Sequence, residues 1–301
     1  MASVLAILGP TASGKSSVAE ALAALLPAEL VSADSMQVYR GLPILTNQST
    51  QPAHLVAVWP LSHEASLGEY QGLAQTAIDE ILAEGRIPIV VGGTGLYLRA
   101  ALADLELPPA PRPGARERWS AFYDEHGGEA VHARLAALDP EAAATVHPND
   151  RRRVIRALEL VEAGASLRPR RDRLWTDETR HPTIVFGLDV PKETLERRIA
   201  ERTEAMFAAG VEAEVQQALT GQLSTTARKV IGLREVSELP RADAIEAIAL
   251  RTRRYAAYQR KWLRRIPGIV MIDANRPADE VADAILEVAR ARQQLPARRA
   301  G

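Results

Sequence analysis

Cysteine is absent from the 301 residues. That excludes disulfides and thiolate metal sites, and a reducing, cytoplasmic setting is the simplest expectation. Aromatics are scarce at 4%, so Leu, Val, Ile and Ala must fill most of any core. No apolar run approaches the roughly 18 residues that a membrane helix needs, so no membrane association is expected. Met1-Ala2-Ser3 runs straight into Val4–Leu8 without a positive leader or a small-residue cleavage site, and no signal peptide is expected. An excess of either charge is also missing. The net charge of −1 argues against bulk attraction to nucleic acid, while leaving room for local patches. The chain is long enough for one large core, or for a core carrying a smaller second unit.

What is present alternates between two periodicities. Val4–Leu8 is an apolar run closed by Gly9 and predicts a buried strand. Val18, Ala21, Leu22 and Leu25 then carry helical spacing, stopped by Pro27. Glu29–Ala33 predicts a second strand, with Asp34 just past its end, and 40–60 is irregular. Leu73, Ala77, Ile78 and Ile81 mark one face of a helix over 67–84. Ile87–Val91 predicts a third strand, and Gly92-Gly93-Thr94-Gly95 opens another helix. This pattern predicts an α/β fold with a parallel sheet covered on both sides. Ligands of such sheets sit outside the carboxyl ends of the strands, so 9–16, Asp34 and 92–95 should converge. Pro108, Pro109, Pro111 and Pro113 form a linker, and 116–164 is helical in pattern with no strand candidate. Thr183–Leu188 returns to a strand, Pro191 suits a first helical turn, and Ile269–Ile272 is a last strand. The expected division is a core of 1–111 and 176–301 with a helical insertion at 112–175. The tail 292–301 is expected to be disordered.

The strongest motif is Gly9-Pro10-Thr11-Ala12-Ser13-Gly14-Lys15-Ser16. It fits G-x-x-x-x-G-K-[ST] and lies between a strand and a helix, which argues against a chance Gly/Ser turn. Its glycines turn backbone N–H groups around a phosphate, Lys15 adds a full charge, and Ser16 can hold Mg²⁺. Asp34, in Asp34-Ser35-Met36-Gln37-Val38-Tyr39, could bind Mg²⁺ or accept a proton from an attacking group; a turn or capping role is the alternative. In Gly92–Tyr97 the glycines permit close approach of a ligand, and Thr94 offers a hydroxyl. Two basic clusters follow. One is Asp150-Arg151-Arg152-Arg153 with Arg156, then Arg168, Arg170, Arg171 and Arg173. The other spans 251–265, where helical spacing puts Arg253, Arg260 and Arg264 on one face, with Tyr255 and Trp262 a heptad apart. Arginines with interleaved aromatics suit phosphate contact and base stacking; a solvated face whose aromatics enter the core is the other possibility. His54 and His147 lack metal-ligand spacing and are expected to be structural.

Taken in order, GPTASGKS at 9–16, DSMQVY at 34–39 and GGTGLY at 92–97 resemble the three active-site loops of the tRNA dimethylallyltransferase family. Asp139-Pro140, His147–Asp150, Arg153…Arg156–Glu159, Arg202…Met206, Gly210, Glu214-Val215, Ile231–Glu235 and Arg254–Ala256…Gln259…Trp262 extend the resemblance over most of the chain. The resemblance implies a P-loop NTPase-like core, a helical insertion that holds the tRNA anticodon stem-loop, and Mg²⁺. It implies transfer of dimethylallyl from dimethylallyl diphosphate to the exocyclic amine of the adenosine 3′ to the anticodon. Asp34 matches the general base and Thr94 a substrate-contacting residue, with Lys15 completing the expected catalytic group. Diphosphate falls to 9–16 and the metal to Ser16. tRNA contacts fall to Asp34, Ser35, Met36, Gln37, Thr94, Arg152, Arg153, Val154, Ile155, Arg156, Arg253 and Arg260. Lys229 and Arg234 are further diphosphate candidates, with no basis for choosing between them.

The sequence also departs from the family pattern. Thr46-Asn47-Gln48 and Ala53-His54 stand where Thr-Ala-Lys and His-His are usual, in a shortened segment, and Ala257-Tyr258 replaces a basic pair. A monomer is the default expectation. A small-molecule P-loop kinase using ATP is the alternative enzyme, and an RNA-binding protein with a vestigial phosphate loop is the non-catalytic one. Two basic clusters and a helical insertion argue against the first; intact Lys15, Ser16 and Asp34 argue against the second.

Overall fold

The computed structural model describes residues 4–167 and 173–292. Arg168, Arg170, Arg171 and the 293–301 part of the tail lie outside the described residues. The chain forms two compact units, one of Met1–Asp104 with Leu174–Gly301 and one of Leu105–Arg173.

The first unit is built on a parallel sheet of five strands: β1 Val4–Leu8, β2 Ala28–Ser32, β3 Ile87–Gly92, β4 Thr183–Asp189 and β5 Val270–Asp273. Their order is β2-β3-β1-β4-β5, so the fully apolar β1 is central and buried along its whole length. Leu5 pairs with Ile89 on one side and Ile184 on the other. Helices α1 Lys15–Ala24, α2 Leu67–Ala83, α3 Gly95–Leu102, α7 Lys192–Ala208, α8 Val211–Leu219, α9 Leu233–Glu238, α10 Arg241–Leu263 and α11 Ala278–Ala291 complete this unit. Helix α1 packs on the sheet through Val18 and Leu22, which share a core with Phe186, Val281 and Ile285.

Two local expectations are corrected. In α2 the buried face is Tyr70, Ala74, Ala77, Ile78 and Ile81, while Leu73 is 41% exposed. Tyr70, Ala74, Ala77 and Ile81 centre that face of the helix, and Leu73 falls at its edge, on the side away from Ile78. Pro191 is the N-cap residue of α7, one place before the first turn.

The second unit is all-helical: α4 Ala115–Leu138, broken at Gly127, then α5 Pro140–Ala143 and α6 Arg151–Glu162. The sequence pattern placed this segment at 112–175. Val131, Leu135, Val146, Val154 and Leu158 form its core. Asp150 caps α6 by accepting the Arg153 N–H at 3.1 Å.

Candidate active site

Three strand-to-loop junctions of the parallel sheet lie side by side, because β3 is the neighbour of both β2 and β1. Gly9 N–H donates to Gly92 O at 3.3 Å, and Ala33 N–H donates to Val91 O at 2.7 Å. These bonds tie the 9–16 loop and the Asp34 segment to β3. Within the first loop Ala12 and Gly14 both have positive φ, 65° and 84°. Left-handed residues beside a helix N-terminus turn successive N–H groups to one side and make an anion cradle.

The cradle opens into a cleft of about 350 Å³ lined by Ser13, Lys15, Ser16, Asn47 and three arginines, Arg198, Arg202 and Arg276. Two of its polar atoms are buried and unpaired, Ser13 Oγ and Arg202 Nε, as is Gln259 Nε2 nearby. Burial lowers the Lys15 pKa, the Asp34 charge opposes that, and Arg202 adds to the lowering. Arg202 is likewise lowered by burial and supported by Asp34. Cations crowded together with unfilled donors are what an oligophosphate anion would satisfy.

A second cavity, of about 60 Å³, adjoins the cleft and includes Thr11, Asp34, Tyr255 and Gln259. Asp34 Oδ1 accepts the Met36 N–H at 2.9 Å, which fixes the carboxylate in a tight turn. Thr94 Oγ1 and Tyr255 Oη are 2.8 Å apart. Burial pushes the Tyr255 phenol up to about 12, with the Asp34 charge adding to it, so the phenol stays protonated as a donor. Tyr97 is also pushed up to about 12, by burial and then by Tyr39 and Asp34. Gln259, fully enclosed on α10, accepts the Thr11 N–H at 2.7 Å.

The structure therefore brings together Asp34, Thr94, Lys15 and the whole 9–16 loop. It also adds Arg198, Arg202, Arg276 and Gln259, which had been given no role, and sets Tyr255, named on spacing as a base-stacking candidate, beside Thr94. Arg202 and Gln259 were visible only as members of an ordered series, since nothing local marks them. Lys229 and Arg234 lie elsewhere, lining a separate cavity with Arg228 and Arg251, and Arg234 pairs with Glu238 at 2.8 Å. Gln37 spends its amide on its own surroundings, donating to Asn47 O at 2.9 Å while accepting from Ser32 Oγ at 3.1 Å. Gln48, in the shortened segment, donates to Tyr39 O at 2.9 Å and so closes that loop on itself. His54 meets Glu29 at 2.6 Å, a structural contact.

The basic clusters divide by exposure. Arg152 and Arg153 are exposed on α6, whereas Val154 and Ile155 are buried and present no side chain to a ligand. That follows from the helical period, which turns two of every four residues into the small core of this unit. Arg156 pairs with Glu159 at 3.1 Å. On α10, Arg253 is exposed and Arg260 is half-buried, 3.9 Å from Asp189. Trp262 is buried, stacked on Trp175 at 4.9 Å, so it is not free to stack on a base.

The chain matches the IPP transferase family over residues 37–266. A tRNA dimethylallyltransferase of Acidothermus cellulolyticus is 42% identical to it over 305 residues, covering 96% of this chain and 92% of the relative. A tRNA dimethylallyltransferase of Salinispora arenicola is 40% identical over 300 residues, covering 95% and 86%. Among solved structures, the full-length tRNA isopentenylpyrophosphate transferase of Bacillus halodurans is 31% identical, with a TM-score of 0.69 and coverage of 97% of this chain and 96% of that one. A eukaryotic dimethylallyltransferase captured acting on tRNA superposes with a TM-score of 0.77 at 26% identity, covering 99% and 81%. A match over more than half the chain, with relatives this similar along nearly their full length, means that the chain belongs to the IPP transferase family.

Proposed function

We propose that this protein transfers a dimethylallyl group from dimethylallyl diphosphate to the exocyclic N6 amine of the adenosine 3′-adjacent to the anticodon of tRNA. The observation that carries the proposal is the pairing of a cationic anion cradle with a carboxylate at its inner edge, in a chain of this family. The core is then a P-loop NTPase-like sheet. The helical unit at 105–173 grips the anticodon stem-loop, with Arg152 and Arg153 reaching its phosphates.

The amine nitrogen attacks C1 of the donor, the C1–O bond breaks, and diphosphate leaves with the electron pair. The N–H groups of 9–16, with Lys15 and Arg202, stabilise the charge that grows on the leaving group. Asp34 orients the amine and takes its proton, and Thr94 and Tyr255 position the base beside it. The adenine must leave its stack to reach this depth.

Mg²⁺ fits the residues present. Ser16 lines both the cleft and a neighbouring small cavity with Asp34. Among the described residues no group of three or more His, Asp or Glu could hold a metal alone. Most ligands would therefore come from phosphate oxygens and water, as Mg²⁺ prefers. When bound, it would neutralise diphosphate charge.

The test is a transfer assay with Mg²⁺, labelled dimethylallyl diphosphate and two anticodon stem-loops, one with adenosine at the target position and one with guanosine. Label on the adenosine RNA alone is the expected outcome. No label on either RNA, with phosphoryl transfer from ATP instead, would overturn the proposal.

A further inference from the structure

The cavity beside Asp34 has apolar as well as polar walls. Leu45, Met206, Ile231 and Ile248 line it together with Thr11, Asp34 and Gln259. At about 60 Å³ it is much smaller than the cationic cleft of about 350 Å³. On the dimethylallyl-transfer reading, on which this inference rests, the diphosphate occupies the cleft and the hydrocarbon is assigned to this cavity, which shares Asn47 and Arg202 with the cleft. We propose that Leu45 is the wall that sets the length of the prenyl group, admitting a five-carbon chain and refusing a ten-carbon one.

Leu45 cannot easily withdraw. Its N–H and that of Ile44 both donate to the Glu214 carboxylate, at 2.8 and 2.7 Å, from the first turn of α8. Thr46 N–H closes the same turn on Leu42 O at 3.0 Å. The side chain is only 6% exposed. Behind it sits Gly232 with φ of 98°, where an added Cβ would come within 2.6 Å of Leu45 Cδ1. The leucine is thus fixed by hydrogen bonds at its backbone and seated in a notch that only a glycine leaves open. A longer chain entering from Asp34 meets a side chain with nowhere to go. Shortening Leu45 would open the path as far as Gly232, which contributes no side chain of its own.

The test compares the wild type, Leu45→Ala and Leu45→Phe with dimethylallyl and geranyl diphosphates. Transfer to the adenosine stem-loop is measured, as is displacement of bound inorganic diphosphate. The wild type should transfer dimethylallyl and discriminate against geranyl. Leu45→Ala should relax that discrimination by about 100-fold, the scale on which apolar pockets sort chains by length. Leu45→Phe should lower the affinity of dimethylallyl diphosphate relative to inorganic diphosphate by about tenfold. A cooperatively melting Leu45→Ala protein with wild-type discrimination overturns the inference while leaving the transfer reading intact. Should Leu45→Ala fail to melt cooperatively, the Phe variant decides: an unchanged affinity ratio overturns the inference. A wild type that binds inorganic diphosphate but transfers no dimethylallyl sinks the transfer reading and this inference together.

Discussion

Gln259 holds Thr11 across 248 residues of sequence, accepting its N–H at 2.7 Å through Oε1. The same amide crowds the third loop, where a Cβ on Gly93 would fall 2.1 Å from Gln259 Nε2. One side chain of α10 thus sets the spacing between two loops that must close on a single ligand. Gln259→Leu should leave the Thr11 N–H buried without a partner and cost about 1–3 kcal/mol of stability. It should also raise KM for the prenyl donor more than for RNA. Denaturant unfolding and steady-state kinetics check both effects, and an unchanged donor KM would reduce Gln259 to a packing residue.

Asp34 offers a carboxylate at the edge of the cradle, with one oxygen already held by the Met36 N–H at 2.9 Å. If it removes the amine proton, Asp34→Asn should lower kcat by about 10²–10⁴, the usual worth of a general base. The turn is preserved by the amide oxygen, so affinity for the stem-loop should change little. Single-turnover rates with binding measured in parallel separate the two. Near-wild-type turnover would remove Asp34 from proton transfer.

Unlike Lys15, Arg198 and Arg276, which line the same cleft, Arg202 has a buried, unpaired Nε. Arg202→Gln should weaken inorganic diphosphate by about tenfold or more, since a hydrogen bond to a charged group contributes about 1.5–3 kcal/mol. Arg234→Gln, on an exposed side chain paired with Glu238, should not. Equilibrium binding of diphosphate to the two variants checks the contrast.

The sheet and its ligand edge were legible because their signals are local. Val4–Leu8, the Gly/Lys/Ser loop after it and Asp34 each lie within a few residues of the feature that gives them meaning. Residues brought in from far away were not legible by that route. Arg202, Tyr255 and Gln259 sit on long helices among other polar residues, and only the packing of α7 and α10 on the loops distinguishes them. Arg253 and Arg260 showed the reverse problem. Their spacing fixed a common face, but spacing does not reveal that Trp262 would turn inward against Trp175. Leu73 was misplaced because a stripe drawn through aliphatic residues left out Tyr70, which belongs to the buried face, puts Leu73 at its edge, and donates its hydroxyl to Ser32 O at 3.0 Å.

Gly95 is required by contact rather than by backbone angle. A Cβ there would lie 2.2 Å from the Trp262 ring, which is itself stacked on Trp175 with the Arg265 guanidinium 3.6 Å above. Gly95→Ala should therefore cost about 1–3 kcal/mol through overpacking, despite improving helix propensity at the start of α3. Combining it with Trp262→Leu should recover part of that loss, giving a coupling energy in a double-mutant cycle. Additive effects in thermal unfolding would mean that the ring moves aside freely.

Glu159 is wholly buried in the helical unit, with Arg116 at 2.8 Å and Arg156 at 3.1 Å. Burial alone would raise its pKa, but the hydrogen bonds and charges of the two arginines outweigh it and hold the carboxyl below the ordinary glutamate range. A folded pKa below the unfolded one means stability that is present above the unfolded value and lost as pH falls through the folded value. Acidification below the ordinary glutamate range should therefore weaken this unit progressively. Glu159→Gln should abolish that part of the pH dependence. At neutral pH it should also destabilise by about 1.5–3 kcal/mol, because the charged hydrogen bonds that Glu159 accepts from Arg116 and Arg156 become neutral ones. Chemical denaturation of the full chain across pH, followed by far-UV circular dichroism, tests this directly. Parallel stability–pH curves for wild type and variant would assign the acid sensitivity to other carboxylates.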